Sequence, residues 1–127
     1  MKLASIDVGL KRIGIAICLT SDIVTPQTAI LRKNRNQAAR DVNIFLKEWE
    51  IEKLIVGFPS ASIDMQNRIN HFVSLLELEI PYEFCEENMS SIEAEDLIKG
   101  EIKYKRDGRI DSLAAKIILE RYLTKKI

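Results

Sequence analysis

The 127-residue chain is poor in the residue types that announce most functional sites. Its two cysteines, Cys18 and Cys85, stand far apart with no CxxC pair and no His/Cys cluster. That excludes the ligand spacing of a structural zinc site and leaves two buried free thiols as the expectation. The single histidine, His71, has no cysteine or second histidine beside it and reads as a surface or boundary residue. GxSxG, GxGxxG and a Walker lysine are all missing, so acyl-enzyme chemistry and the usual nucleotide cradles lack their motifs. No apolar run approaches a membrane span, and no basic segment leads into a signal-like core. A cytoplasmic protein with no membrane partner is expected. Repeats, low-complexity stretches and long linkers are missing too, which predicts one domain over residues 1–127.

Net charge is the last absence, because 19 Lys and Arg balance 19 Asp and Glu. Bulk electrostatics therefore does not mark a nucleic-acid binder. The distribution is uneven. Residues 32–40 hold Arg32, Lys33, Arg35 and Arg40 with no acid, and residues 99–109 hold five bases against Glu101 and Asp107. Between them, residues 77–96 hold eight acids and no Lys or Arg. An acidic focus between basic flanks suits a metal site with phosphate-holding rims, and equally suits solvated loops and helix faces.

What is present is an alternation of strand and helix patterns. Residues 2–8 are strand formers, 9–12 read as a turn, and 13–18 alternate, which together make a hairpin. A third strand over 24–31 carries Pro26, the mark of an edge or a bulge. Helical spacing of Ala38, Val42, Phe45, Leu46 and Trp49 predicts a helix over 36–49. KLIVGFP reads as a strand covered on both faces. A helix over 65–78 follows, then the short strand YEFC, a capped helix over 90–100 and a last helix over 111–123. The order β-β-β-α-β-α-β-α-α gives an α/β fold, with antiparallel strands first and parallel additions through helical crossovers.

Acids stand where these elements end. Asp7 closes the first strand, Glu86 and Glu87 follow YEFC, and Asp111 opens the last helix. Clustered carboxylates repel, and a divalent cation reverses that penalty, with oxygen ligands favouring Mg²⁺ or Mn²⁺. Each acid also has an ordinary reading: Asp7 as a turn residue, Glu86-Glu87 as a solvated pair, Asp111 as a helix cap. The three together make the case for a site.

The motifs that carry these acids resemble the YqgF/RuvX family. IDVGLKRIGIA resembles its opening aspartate-x-glycine strand and turn, and LIVGFP its central strand. EENMSSIEA resembles its aspartate-glutamate-arginine motif, and IDSLAAKIILERYL its closing aspartate and alanine-rich helix. The resemblance implies an RNase H-like three-layer fold, with a mixed five-stranded sheet flanked by helices. It also implies a divalent-metal nuclease, with Asp7, Glu87 and Asp111 as catalytic residues and ligands of Mg²⁺ or Mn²⁺. Lys11 and Arg12, on the turn after Asp7, are expected to contact substrate phosphates. Two departures stand out: Glu86 replaces the motif's aspartate, leaving Glu86 as an alternative ligand, and Asn88 replaces its arginine. The segment SASIDMQNR also lacks the glycine-bearing insertion of relatives.

The resemblance leads to a nuclease that processes the 5′ end of precursor 16S rRNA, with structured RNA and pre-ribosomal particles as partners. A Holliday-junction-resolving DNA endonuclease acting on branched DNA is the nearest alternative. A catalytically silent RNA-binding assembly factor is the next. Both a monomer and a homodimer are compatible with the sequence. A sugar-kinase-like ATPase would need a second lobe, which 127 residues do not supply.

Overall fold

The alternation of apolar residues sorts the sheet into two faces, and the computed structural model shows what covers each. It describes residues 1–20, 23–86 and 109–125, and the side chains of residues 109–111 lie outside that description. In chain order the described elements are β1 (Leu3–Val8), β2 (Arg12–Cys18), β3 (Thr25–Leu31), α1 (Arg35–Glu48) and β4 (Lys53–Phe58). α2 (Ile63–Leu75), β5 (Tyr82–Glu86) and the C-terminal helix α3 (Arg109–Lys125) complete them. The helix expected over 90–100 falls outside the described residues.

The sheet order is β3-β2-β1-β4-β5. β1, β2 and β3 pair antiparallel, whereas β4 runs parallel to both β1 and β5. The predicted hairpin, the edge position of the Pro26 strand and the parallel additions are all present. A register shift between Ile13 and Ile15 marks a bulge where β2 meets β3. Such bulges bend an edge and reduce its power to recruit another strand.

Every second residue of each strand points the same way. Ala4, Ile6, Val8, Ile13, Ile15, Ile17, Leu54 and Val56 pack with Val42 and Leu46 of α1 and with Ile69, Phe72 and Val73 of α2. Leu3, Ala16, Cys18, Ile55 and Cys85 face the other way and pack against Ala115, Ile118, Leu119 and Tyr122 of α3. Full burial of each large aliphatic side chain contributes about 1.5–3 kcal/mol, so both layers stabilise the sheet. Both cysteines are buried and unbridged, as expected.

Helix ends follow local chemistry. Asn34 caps α1 in a box with Gln37, the side chain of each residue accepting the other's backbone N–H. α2 starts at Ile63, two residues before the predicted 65, because Ser62 Oγ accepts the Met65 N–H at 3.3 Å. It stops three residues before the predicted 78, with Leu76 already extended. Leu76, Leu78 and Ile80 reach the core of the α1/α2 layer at a spacing of two rather than of helical turns. In this segment the apolar positions fit both periods, and the run toward Pro81 and β5 selects the extended one.

Candidate active site

Asp7 lies one residue before the end of β1, half-buried, opposite Gly14 in the register of β2. By alternation it shares the α3 face with Leu3 and Ser5. The chain then turns sharply. The Gly9 N–H donates to the Arg12 carbonyl at 3.0 Å, and a Cβ on Gly9 would stand 2.5 Å from that same oxygen. Only glycine fits without shifting backbone, which accounts for its place two residues after the aspartate.

Arg32, just beyond β3, clasps this turn from outside. Its N–H donates to the Lys11 carbonyl at 2.9 Å, and its guanidinium donates to the Gly9 carbonyl at 2.8 Å. The guanidinium also lies over the Phe72 ring, 5.7 Å from the centroid. Lys11 is exposed on the turn and Arg12 half-buried at its foot. Both expected substrate contacts therefore stand at the same end of the sheet as Asp7.

α3 is seated on the Asp7 face by directed polar bonds. Ser5 Oγ donates to the Ala115 carbonyl at 2.6 Å, and Ser112 Oγ accepts the Ile15 N–H at 3.4 Å, at the bulge. Both serines are fully buried. Further along, Lys53 Nζ donates to the Tyr122 hydroxyl at 2.8 Å and lies 5.2 Å from that ring's centroid. That hydrogen bond, outweighing burial, raises the lysine's pKa. Ile15 pairs with Ile6, so the Ser112 bond sets the first turn of α3 one register step from the Asp7–Gly14 pair. Asp111 immediately precedes Ser112 on that turn, and its side chain lies outside the described residues.

Glu86 ends β5 on the other face. It follows Tyr82 and Phe84 in the alternation, and Phe84 packs on the α1/α2 core, while Cys85 belongs to the α3 layer. Ser60 Oγ donates to Glu86 Oε1 at 2.6 Å, and the Glu86 carbonyl accepts from Arg121 at 3.4 Å. By that alternation Glu86 shares the face of Phe84, whereas Asp7 shares that of Leu3 and Ser5. Glu87 lies outside the described residues. Among the described residues, no three acidic, thiol or imidazole groups gather as a metal-binding set.

His71 is exposed, as expected, but it is not idle: Arg35 Nη1 lies 3.0 Å from its Nε2. Sequence reasoning also missed Ser5, Ser112 and Arg32. A serine two residues before the strand-end aspartate, on the same face, was the available signal for Ser5. Nothing local marked Arg32 as a clasp, because its partners lie about twenty residues upstream.

Comparisons with known proteins agree with this architecture. The family described as "RuvX: Holliday junction resolvase" matches residues 1–125. A protein of Sulfurovum sp. (strain NBC37-1) named "Putative pre-16S rRNA nuclease" is 65% identical, over 98% of this chain and 99% of that protein. A protein of the same name from Sulfurimonas denitrificans is 52% identical, over 99% of each chain. The fowlpox virus resolvase in complex with Holliday junction DNA superposes with a TM-score of 0.61 at 16% identity. That match covers 100% of this chain and 99% of the viral one, a likeness of fold alone. The fold is the RNase H-like three-layer arrangement, and the chain belongs to the YqgF/RuvX family.

Proposed function

We propose that residues 1–127 form one nuclease domain that hydrolyses phosphodiester bonds of precursor 16S rRNA, using Mg²⁺ or Mn²⁺ held by Asp7, Glu87 and Asp111. The observation that carries this reading is the seating of the first turn of α3 beside a half-buried Asp7. A carboxylate at a strand end, with the first turn of a helix seated beside it, stands where acids from separate elements could share a divalent cation. Glu86 follows Phe84 in the alternation of β5, on the face of the α1/α2 core rather than that of Asp7, which favours its neighbour Glu87 as the co-ligand. Three carboxylates form a hard, all-oxygen donor set that fits Mg²⁺ or Mn²⁺ rather than zinc.

A bound divalent ion would supply Lewis-acid stabilisation of the scissile phosphate. The chain's own part is positional. Gly9 and the Arg32 clasp hold the turn after Asp7 in one conformation, and Lys11 and Arg12 on that turn hold substrate phosphates. The names of the Sulfurovum and Sulfurimonas relatives support precursor 16S rRNA as substrate. Pre-ribosomal particles in the cytoplasm would then be its partners. Among the described residues no helix is long and apolar enough to cross a membrane. The family description and the fowlpox complex favour a second reading in which branched DNA is cut, for which a homodimer rather than a monomer would supply paired incisions.

The test is parallel cleavage of an RNA carrying the precursor 16S 5′ end and of a four-way DNA junction, with Mg²⁺ or Mn²⁺. Wild type should cut the RNA, and Asp7→Asn should keep its fold while losing roughly 10²–10³-fold in rate, the scale of removing one electrostatic stabiliser. Undiminished cleavage by Asp7→Asn would refute the assignment, and cleavage of the junction alone would move it to the second reading.

A further inference from the structure

On the α1/α2 side of the turn that follows Asp7, cations gather without a described counter-charge. A groove of about 390 Å³ is lined by Leu10, Arg32, Arg35, Asn67, Arg68 and His71. These residues come from the β1–β2 turn, the residue after β3, the start of α1 and the middle of α2. Among the described residues no ion pair includes any of the three arginines. The Arg35–His71 contact forms a partition, and beyond it lies a second depression of about 360 Å³, lined by Asn34, Arg35, Asn36, His71 and Leu75. The Arg35 guanidinium, a donor only, meets the His71 ring at Nε2 in this wall. The Arg35 fork is thereby aimed along the wall between the two hollows.

This arrangement works against stability. Burial first, then the like charges of Arg35 and Arg68, push the Arg32 guanidinium's pKa down. Arg35 is also the first residue of α1, whose first turn contains no acid, so a cation sits at the positive end of the helix dipole. Neither feature helps the fold, and both fit a polyanion that arrives from outside. Two adjoining hollows with arginine forks and asparagine amides between them suit an extended chain of phosphates better than a single small anion.

We propose that this groove binds the phosphodiester backbone of the nucleic acid, tracking it away from the Asp7 end of the sheet along α1 and α2. The proposal rests on the nuclease reading for the choice of nucleic acid as the polyanion. Arg35 and Arg68 are the exposed contacts, and Arg32 positions the turn that joins groove and site.

The test is binding without cleavage, by fluorescence anisotropy in EDTA across a salt series, with a labelled RNA hairpin carrying a 5′ extension and with a four-way DNA junction. Arg35→Ala/Arg68→Ala should weaken binding about tenfold or more and reduce the slope of log K against log salt by about 1.4–1.8, the value for two lost phosphate contacts. Arg35→Lys/Arg68→Lys should keep most of the slope. The thermal midpoint of the alanine variant should stay level or rise, since repulsion is removed. The arm with the larger loss identifies RNA or DNA as the occupant. Wild-type affinity in the alanine variant, or weaker binding with an unchanged salt slope, overturns the proposal. Because no cleavage is read, a wild type that binds through the groove and cuts nothing would defeat the nuclease reading alone.

Discussion

The two faces of the sheet are built on different principles. Toward α1 and α2, the inner positions of β1, β2 and β4 are Ala, Ile, Leu and Val, with Phe58 at the end of β4. Toward α3, the corresponding positions include Ser5, Asp7, Gly14, Ala16, Cys18, Gly57 and Cys85, smaller on the whole and in part polar. Apolar contact is non-directional and tolerates a slid or rotated helix at modest cost. A buried serine bonded to one particular backbone group does not, because moving the helix leaves a polar atom without its partner. The first face supplies stability, and the second fixes where the first turn of α3 sits relative to Asp7.

That contrast can be broken by substitutions that separate stability from activity. The largest stability effect belongs to the apolar face. Leu54→Ala, at a fully buried position, should cost about 2–5 kcal/mol of unfolding free energy. Cleavage per folded molecule should be little changed, as measured by denaturant melts alongside rates corrected for the folded fraction. A large loss of rate in the folded fraction would show that the apolar face also sets site geometry.

Ser112→Ala comes next. It removes the acceptor of the Ile15 N–H at the bulge, and an unsatisfied buried group costs about 1–3 kcal/mol. Here the rate should fall further than stability does, because the turn carrying Asp111 loses its anchor. Gly9→Ala should fall in a similar range, about 1–3 kcal/mol for forced overpacking, since its Cβ would meet the Arg12 carbonyl at 2.5 Å. Its activity should fall as well, and an Arg32→Ala change made on top should add less than it does alone, because both release the same turn.

Much of this contrast was legible in the sequence wherever a local period decides the structure. Ile13, Ile15 and Ile17 declare one face of β2 and KLIVGFP a strand buried on both, and Pro26 marks the edge. The end of α2 was not legible, because Leu76 continues the helical stripe of Ile69, Phe72 and Val73 and also starts the alternating run Leu76, Leu78, Ile80. The acid-free run 32–40 was visible as charge, yet its meeting with Arg68 and His71 depends on α1 packing beside α2, which no local pattern encodes. The choice between Glu86 and Glu87 turns on a single step of strand phase, and sequence left it open. In the structure Ser60 bonds the Glu86 carboxylate, and Phe84, two residues earlier, packs on the α1/α2 core.

Ser5→Ala should give the smallest effect and the sharpest reading of the comparison. The hydroxyl donates to the carbonyl of Ala115, four residues before Leu119 in α3, so that oxygen keeps its place in the helical ladder when the serine is lost. No buried donor is stranded, and the expected cost is the net value of one hydrogen bond, about 0.5–1.5 kcal/mol. The alanine leaves a space little larger than the lost oxygen, under a helix still held by Ser112 and by Lys53 on Tyr122. If α3 is located by the sum of these bonds, the single change should trim cleavage only slightly, and Ser5→Ala with Ser112→Ala should cost more activity than the two effects added. Strict additivity in a double-mutant cycle on the cleavage rate would mean that each serine acts alone and that apolar packing, not the polar pair, seats the helix.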